Sequence, residues 1–137
     1  MEMTRSIQLQ DYIIANPVKV LESADLFEAV ALIVDHRISG LCVVNDNGDL
    51  VGVLSELDCL EAILSATYDD RTSVGKVAEY MTRDVVTSGP TEDVVDVASE
   101  MLKSRHRRRP VIKDGKLIGQ ISCRQLLQAF QDFTRKD

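Results

Sequence analysis

From Ser23 to His36 apolar positions recur every three or four residues. Leu26, Ala29, Val30 and Ile33 share one face, and this spacing predicts a helix. Leu41-Cys42-Val43-Val44 is an unbroken apolar run of strand length, predicting a buried strand. Leu50 to Leu54 returns as its partner after Asn45-Asp46-Asn47-Gly48-Asp49, a hairpin turn whose Asn and Gly accept positive φ. Ser55 to Ala66 reads as a second helix, with Leu57, Leu60 and Leu64 on one face. Upstream, Ser6 to Ile14 predicts a short helical or irregular lead-in. Pro17 then forces Asn16 out of helical geometry and opens a short extended piece reaching Val20.

The same order recurs. Asp84-Val85-Val86-Thr87 repeats the place of Asn16-Pro17-Val18-Lys19 and predicts the matching strand. Thr91 to Lys103 is the matching helix, Arg109 to Ile112 and Leu117 to Ile121 are the paired strands, and Ser122 to Phe133 closes the pattern. Lys113-Asp114-Gly115-Lys116 is one residue shorter than the first turn, so the offset between the copies falls by one across it. Thr67 to Ser73 is polar and reads as a linker, and Val74 to Met81 as a short helix leading into the second half. The chain therefore divides into residues 7–66, a linker over 67–75, and residues 76–133. Each half is strand–helix–strand–strand–helix, too small to hide its own apolar faces, so the two halves are expected to pack together.

One corner is repeated. Gly52-Val53-Leu54-Ser55-Glu56-Leu57-Asp58 runs from strand to helix, and Gly119-Gln120-Ile121-Ser122-Cys123-Arg124-Gln125 matches it position for position. Ser55 and Asp58 have the spacing of a capping pair, in which the serine accepts from a first-turn N–H and the acid reaches back.

Bulk properties narrow the field. The 137 residues are 45% hydrophobic and 28% charged, ordinary for a soluble globular chain, but only 4% aromatic and without Trp, so the core must be aliphatic. A net charge of −6 argues against general nucleic-acid binding and against an electrostatic membrane anchor. No apolar run approaches the roughly 20 residues that span a bilayer. Met1 to Arg5 lacks the pattern of a signal peptide, so a cytoplasmic location is expected. Cys42, Cys59 and Cys123 are odd in number and sit in apolar segments, predicting buried reduced thiols with neither a disulfide framework nor a metal site. His36 and His106 are the only histidines, and neither sits near a nucleophile–base–orienter set, so no catalytic residues are assigned and no enzyme is expected.

The duplicated Gly-apolar-apolar-Ser-x-x-Asp corner, Ile38-Ser39-Gly40-Leu41-Cys42-Val43-Val44 before its turn, and Met81-Thr82-Arg83-Asp84-Val85-Val86-Thr87 resemble the CBS-domain pair, named after cystathionine β-synthase. The likeness covers about residues 7–133. It implies an α+β (α/β) fold of two β-α-β-β-α repeats packed sheet to sheet with pseudo-two-fold symmetry. It also implies a regulatory module binding AMP, ADP, ATP or S-adenosylmethionine in clefts between the repeats, with no further cofactor. Carried over residue by residue, Asp58 would hold the ribose hydroxyls and Ser55 a phosphate or the ribose. Pro17, Val18, Gly40 and Leu41 would line the adenine. Ser39, and the second-half positions Val86, Thr87 and Pro110, complete the implied set. At Ser122 the acid is replaced by Gln125, so that copy would grip a ribose more weakly.

The basic run Arg105-His106-Arg107-Arg108-Arg109 has two readings. Cations suit a helix C-terminus, yet five exceed what a cap requires. The resemblance implies phosphate contact by Arg107, Arg108 or Arg109, whose forks match phosphate oxygens. Strand alternation sends Arg107 and Arg109 one way and Arg108 the other. His36-Arg37 reads as a solvated helix end. With no fused enzyme or transporter, a partner protein regulated in trans and a homodimer are the expected partners. The rival function is a self-associating interaction module that binds no nucleotide, using the Leu57/Leu60/Leu64 and Leu126/Leu127/Phe130 faces. A weaker rival is nucleic-acid binding through Arg105–Arg109.

Overall fold

The computed structural model describes residues 7–135, and the side chains of residues 7–134. Ser6, in the expected lead-in, and Met1 to Arg5, which bear the signal-peptide argument, lie outside the described residues. The elements are β1 (Ile14–Ala15), β2 (Lys19–Leu21), α1 (Leu26–His36), β3 (Gly40–Val44), β4 (Leu50–Ser55), α2 (Glu56–Tyr68), α3 (Val94–Ser104), β5 (Arg108–Lys113), β6 (Lys116–Ser122) and α4 (Cys123–Arg135). Two three-stranded sheets form, ordered β1-β6-β5 and β2-β3-β4. The fold is mixed α+β, built from two like repeats.

The helices start where side-chain acceptors meet free N–H groups. Asp25 accepts from Phe27 N at 3.0 Å to begin α1, and Asp93 accepts from Val95 N at 3.0 Å to begin α3. Both helices end on an arginine in the left-handed region, Arg37 at φ 54° and Arg105 at φ 56°. Arg37, read as part of a solvated helix end, is thus the C-cap itself.

The compact units are cut differently from the linear repeats. One unit is residues 17–85; the other joins the opening stretch, up to Asn16, to the chain from Val86 onward. Ile14 and Ala15 pair antiparallel with Gln120 and Gly119, adding β1 to the second sheet. A single bridge, Val53 to Thr82, is its counterpart in the first. The 3-10 turn Val77–Glu79 replaces the longer helix expected over Val74 to Met81, and Val77 and Met81 are buried in the core of the unit of residues 17–85, with Leu26, Val43 and Leu54. Leu9 joins Val94, Met101, Val111 and Ile121 in the other core.

The glycines of the repeated corner answer to these edges. A Cβ on Gly52 would lie 2.8 Å from Thr82 O, and one on Gly119 would lie 2.7 Å from Ile14 O. Gly is required where the added segment's backbone comes that close.

Residues 84–87 form no strand, contrary to the expectation. In the register of β2 they would continue into Ser88, Gly89 and Pro90, a poor strand sequence. The ladder shrinks to one parallel bridge between Ser88 and Val111. Thr67 and Tyr68, assigned to the linker, complete α2. Cys42 and Cys59 are buried as expected, but Cys123 is exposed, because it occupies the first position of α4 on its outer side. Among the described residues no helix is long and apolar enough to cross a membrane.

Candidate functional site

Within residues 17–85 the fold gathers seven of the expected positions. Gly40 pairs with Ser55 across β3 and β4. The Ser39 carbonyl accepts from Glu56 N at 2.9 Å, anchoring the start of α2. A Cβ on Gly40 would stand 3.0 Å from Leu54 O, so this spot keeps its backbone bare beside the serine. Cys42 N donates to the Val18 carbonyl at 3.4 Å, which sets Pro17 and Val18 alongside β3. Leu41 turns its side chain into the core and offers only backbone to a ligand.

Ser55 and Asp58 form a complete capping box. Ser55 N donates to Asp58 Oδ2 at 2.9 Å, and Asp58 N donates to Ser55 Oγ at 3.1 Å. The capping role is therefore present, and it uses Oδ2 while Oδ1 stays outside the box. Beside it, burial first and the Asp58 carboxylate second push the Cys59 thiol pKa up, which keeps this cysteine neutral and unreactive.

The other seven positions repeat the corner in the other unit. Arg108 pairs with Ser122 across β5 and β6, and Cys123 N donates to the Arg107 carbonyl at 3.0 Å. Ser88 N donates to the Pro110 carbonyl at 3.0 Å, placing Val86 and Thr87 next to that strand. The Ser122 hydroxyl donates to Gln125 Oε1, so the two side chains engage each other where Ser55 and Asp58 form a box through the backbone.

Arg107 and Arg108 are exposed, but Arg109 is 2% exposed and faces the core. Its Nη1 donates to Glu100 Oε2 at 2.9 Å and to Ser88 Oγ at 3.3 Å, and its Nε is buried without a hydrogen-bond partner. The alternation that paired Arg107 with Arg109 fails because β5 begins only at Arg108. Arg109 is in register with Leu41: Leu41 opposes Leu54, and Arg109 opposes Ile121, which matches Leu54 in the repeat. Ser88 and Glu100, which sequence reasoning missed, likewise take the places that Val20 and Leu32 hold in the first copy. A polar trio thus fills the place of an apolar one, and the repeat offset alone could have exposed it.

No cluster of three or more His, Cys, Asp or Glu side chains suited to a metal occurs among the described residues.

Residues 9–65 and 77–132 each match the model of the CBS domain. MJ1225 of Methanocaldococcus jannaschii is 30% identical over 113 residues, which are 82% of this chain and 39% of that protein, so the chain spans well under half of that relative. The structure of CBSX2 in complex with AMP is similar at a TM-score of 0.81 and 28% identity, covering 93% of this chain and 98% of that one. The CBS-domain pair of MJ0100, in complex with 5'-methylthioadenosine and S-adenosyl-L-methionine, gives a TM-score of 0.72 at 25% identity, covering 90% and 99%. Two tandem matches to one model, spanning most of the residues, make this chain a member of the CBS-domain family.

Proposed function

We propose that the chain is a regulatory module that binds an adenosine nucleotide and reports its occupancy to a partner protein in trans. The observation that carries this reading is the convergence of Ser39, Gly40, Ser55 and Asp58 at one strand–helix corner, with a carboxylate oxygen outside the cap. An ionised carboxylate offers acceptors to both hydroxyls of a ribose. Pro17 and Val18 with the Gly40–Leu41 backbone form the adenine edge. In the second copy of the corner, we assign phosphate contact to Arg107 and Arg108, not to Arg109, whose Nη1 is engaged by Glu100 and Ser88. Cations at that position favour AMP, ADP or ATP over S-adenosylmethionine, which is itself positively charged. CBSX2 in complex with AMP, at 28% identity, supports the same ligand class. Three free cysteines accord with a reducing cytoplasm. The Val86–Thr87–Pro110–Ser122 copy, lacking the acid, is the weaker site.

Thermal melting with and without AMP, ADP, ATP and S-adenosylmethionine tests the reading. A ligand at 100 times its Kd adds about 2.7 kcal/mol. Asp58→Ala is expected to abolish that gain and to lower the unliganded stability by about 1 kcal/mol through the lost cap. If no adenosine compound moves the midpoint, the sensor reading fails. The reading left standing is then a self-associating interaction module, which the exposed Leu57, Leu60 and Leu64 of α2 favour.

A further inference from the structure

In the unit that takes in the chain from Val86 onward, α3 and α4 border a groove of about 510 Å³, a size typical of small-molecule sites. Met101 and Leu126 are buried beneath it, and Ala98 and Phe130 extend its apolar lining. Leu102 and Leu127, also in the lining, are 81 and 69% exposed. The charge is confined to one end, where α3 stops and α4 starts. Arg105, Arg107 and Cys123 lie there, and Cys123 Sγ donates to the His106 carbonyl at 3.8 Å. Neither Arg105 nor Arg107 forms an ion pair among the described residues.

The first repeat supplies a control within the same chain. Ala98, Met101, Leu126 and Phe130 take the places of Val30, Ile33, Cys59 and Ile63, so an apolar lining is common to both copies. The charged end is not. Arg105 matches Arg37, but Arg107 stands where the first copy has Ser39, and Cys123 where it has Glu56. The first copy thus brings one arginine and one acid to that end, and the second brings two arginines and no acid. Only the second attracts an anion.

We propose that the α3–α4 groove binds a medium-chain fatty acid, with its alkyl chain along Ala98, Met101, Leu126 and Phe130 and its carboxylate between Arg105 and Arg107. The occupant must match an apolar trough with cations at one end alone. A straight alkyl chain with a single anionic head does so. The chain leaves water along the trough, and guanidinium forks suit a carboxylate. Ala98 and Arg105 are seven positions apart, about 10 Å along a helix axis. That length takes a zigzag chain of about eight to ten carbons at ordinary bond lengths. A neutral hydrocarbon would leave the guanidinium groups unused, and a cationic amphiphile would meet them head on. The Ser55–Asp58 corner contributes no residue to this lining, so the proposal does not depend on the nucleotide reading. Arg107 is shared with the phosphate contact assigned to the second corner, so the test variants are made at Arg105 and Cys123.

The groove carries its own reporter. Cys42 and Cys59 are buried, so N-ethylmaleimide is expected to add once to the intact reduced chain, at Cys123, as followed by mass spectrometry. Decanoate at ten times its Kd is expected to slow that addition about tenfold by occupancy alone. Butyrate and decyltrimethylammonium are expected to leave the rate unchanged. In calorimetry decanoate is expected to bind at least about tenfold more tightly than hexanoate, because its longer chain leaves more water behind. Arg105→Asn keeps a residue that tolerates the left-handed backbone. Cys123→Glu copies the first repeat, at a helix start that suits an acid. Each is expected to weaken decanoate at least about tenfold, through a lost charged hydrogen bond or an added repulsion. Neither variant touches Asp58, so the response to AMP is expected to match that of the wild type. Should Cys123→Glu fail to fold, Arg105→Asn decides alone. No heat and no protection with decanoate, equal protection by decyltrimethylammonium, or unchanged affinity in the folded variants would each overturn the proposal. So would a Cys123 that is already unreactive in a dimer that decanoate leaves intact on sedimentation, which would assign the groove to a second copy.

Discussion

Arg109 is by type a surface residue, yet it occupies a core position. Its counterpart Leu41 needs no partner; Arg109 needs Ser88 and Glu100, both distant in sequence. Breaking a buried ion pair leaves a desolvated charge, whereas replacing the whole group by apolar residues is often neutral. Glu100→Ala is therefore expected to lower stability in urea titrations by about 2 kcal/mol, at the low end because Glu100 is 59% exposed. The triple change Ser88→Val, Glu100→Leu, Arg109→Leu, which copies the first repeat, is expected to be at least as stable as the wild type. A triple variant weaker than Glu100→Ala would show that the trio contributes more than the filling of a core position. At this scale the sequence was legible for Ser55 and Asp58, whose spacing announces the box. It was misleading for Arg109, because residue type and strand parity were weighed without the register that the repeat supplies.

Strands and helices were legible wherever a local period carried them. The helices α1 to α4 and the hairpins β3–β4 and β5–β6 all follow from spacing between near neighbours. The edge pieces were not, because β1 is two residues long and exists only through its pairing with β6. The Tyr12 hydroxyl adds a further tie, donating to Asp132 Oδ2 of α4 at 3.0 Å. Burial first, then the hydrogen bond and charge of Asp132, raise the Tyr12 pKa above its ordinary 10.0. A group whose pKa is raised by folding adds stability below its unfolded value and loses it as pH climbs through the folded one. Tyr12→Phe is accordingly expected to cost about 0.5 kcal/mol at neutral pH, with the difference vanishing as the pH is taken beyond 10.0. Denaturation curves of both proteins across that range check it; a difference independent of pH would remove the Tyr12–Asp132 tie as its source.

Across the molecule, the duplication was plain from the constant offset, but the division into compact units was not. Local patterns assign each residue to its neighbours in sequence, and nothing local shows that the opening residues complete the unit built from the end of the chain. Leu9 is fully buried there. Leu9→Ala is expected to cost about 3 kcal/mol. In hydrogen exchange the loss of protection should fall on β5 and β6 more than on β3 and β4. An equal loss in both sheets would mean that the two units open as one.

The placement of β1 has a consequence for synthesis. A polypeptide leaves the ribosome from its N-terminus, and the contiguous unit of residues 17–85 is finished while the strand that receives Ile14 and Ala15 has yet to be translated. Leu9 and Ile13 must then wait, apolar and undocked, until Lys116 to Ser122 emerge. The nascent protein thus passes through a stage with a sticky, undocked segment, when a neighbouring chain on the same message offers it an equivalent edge to join.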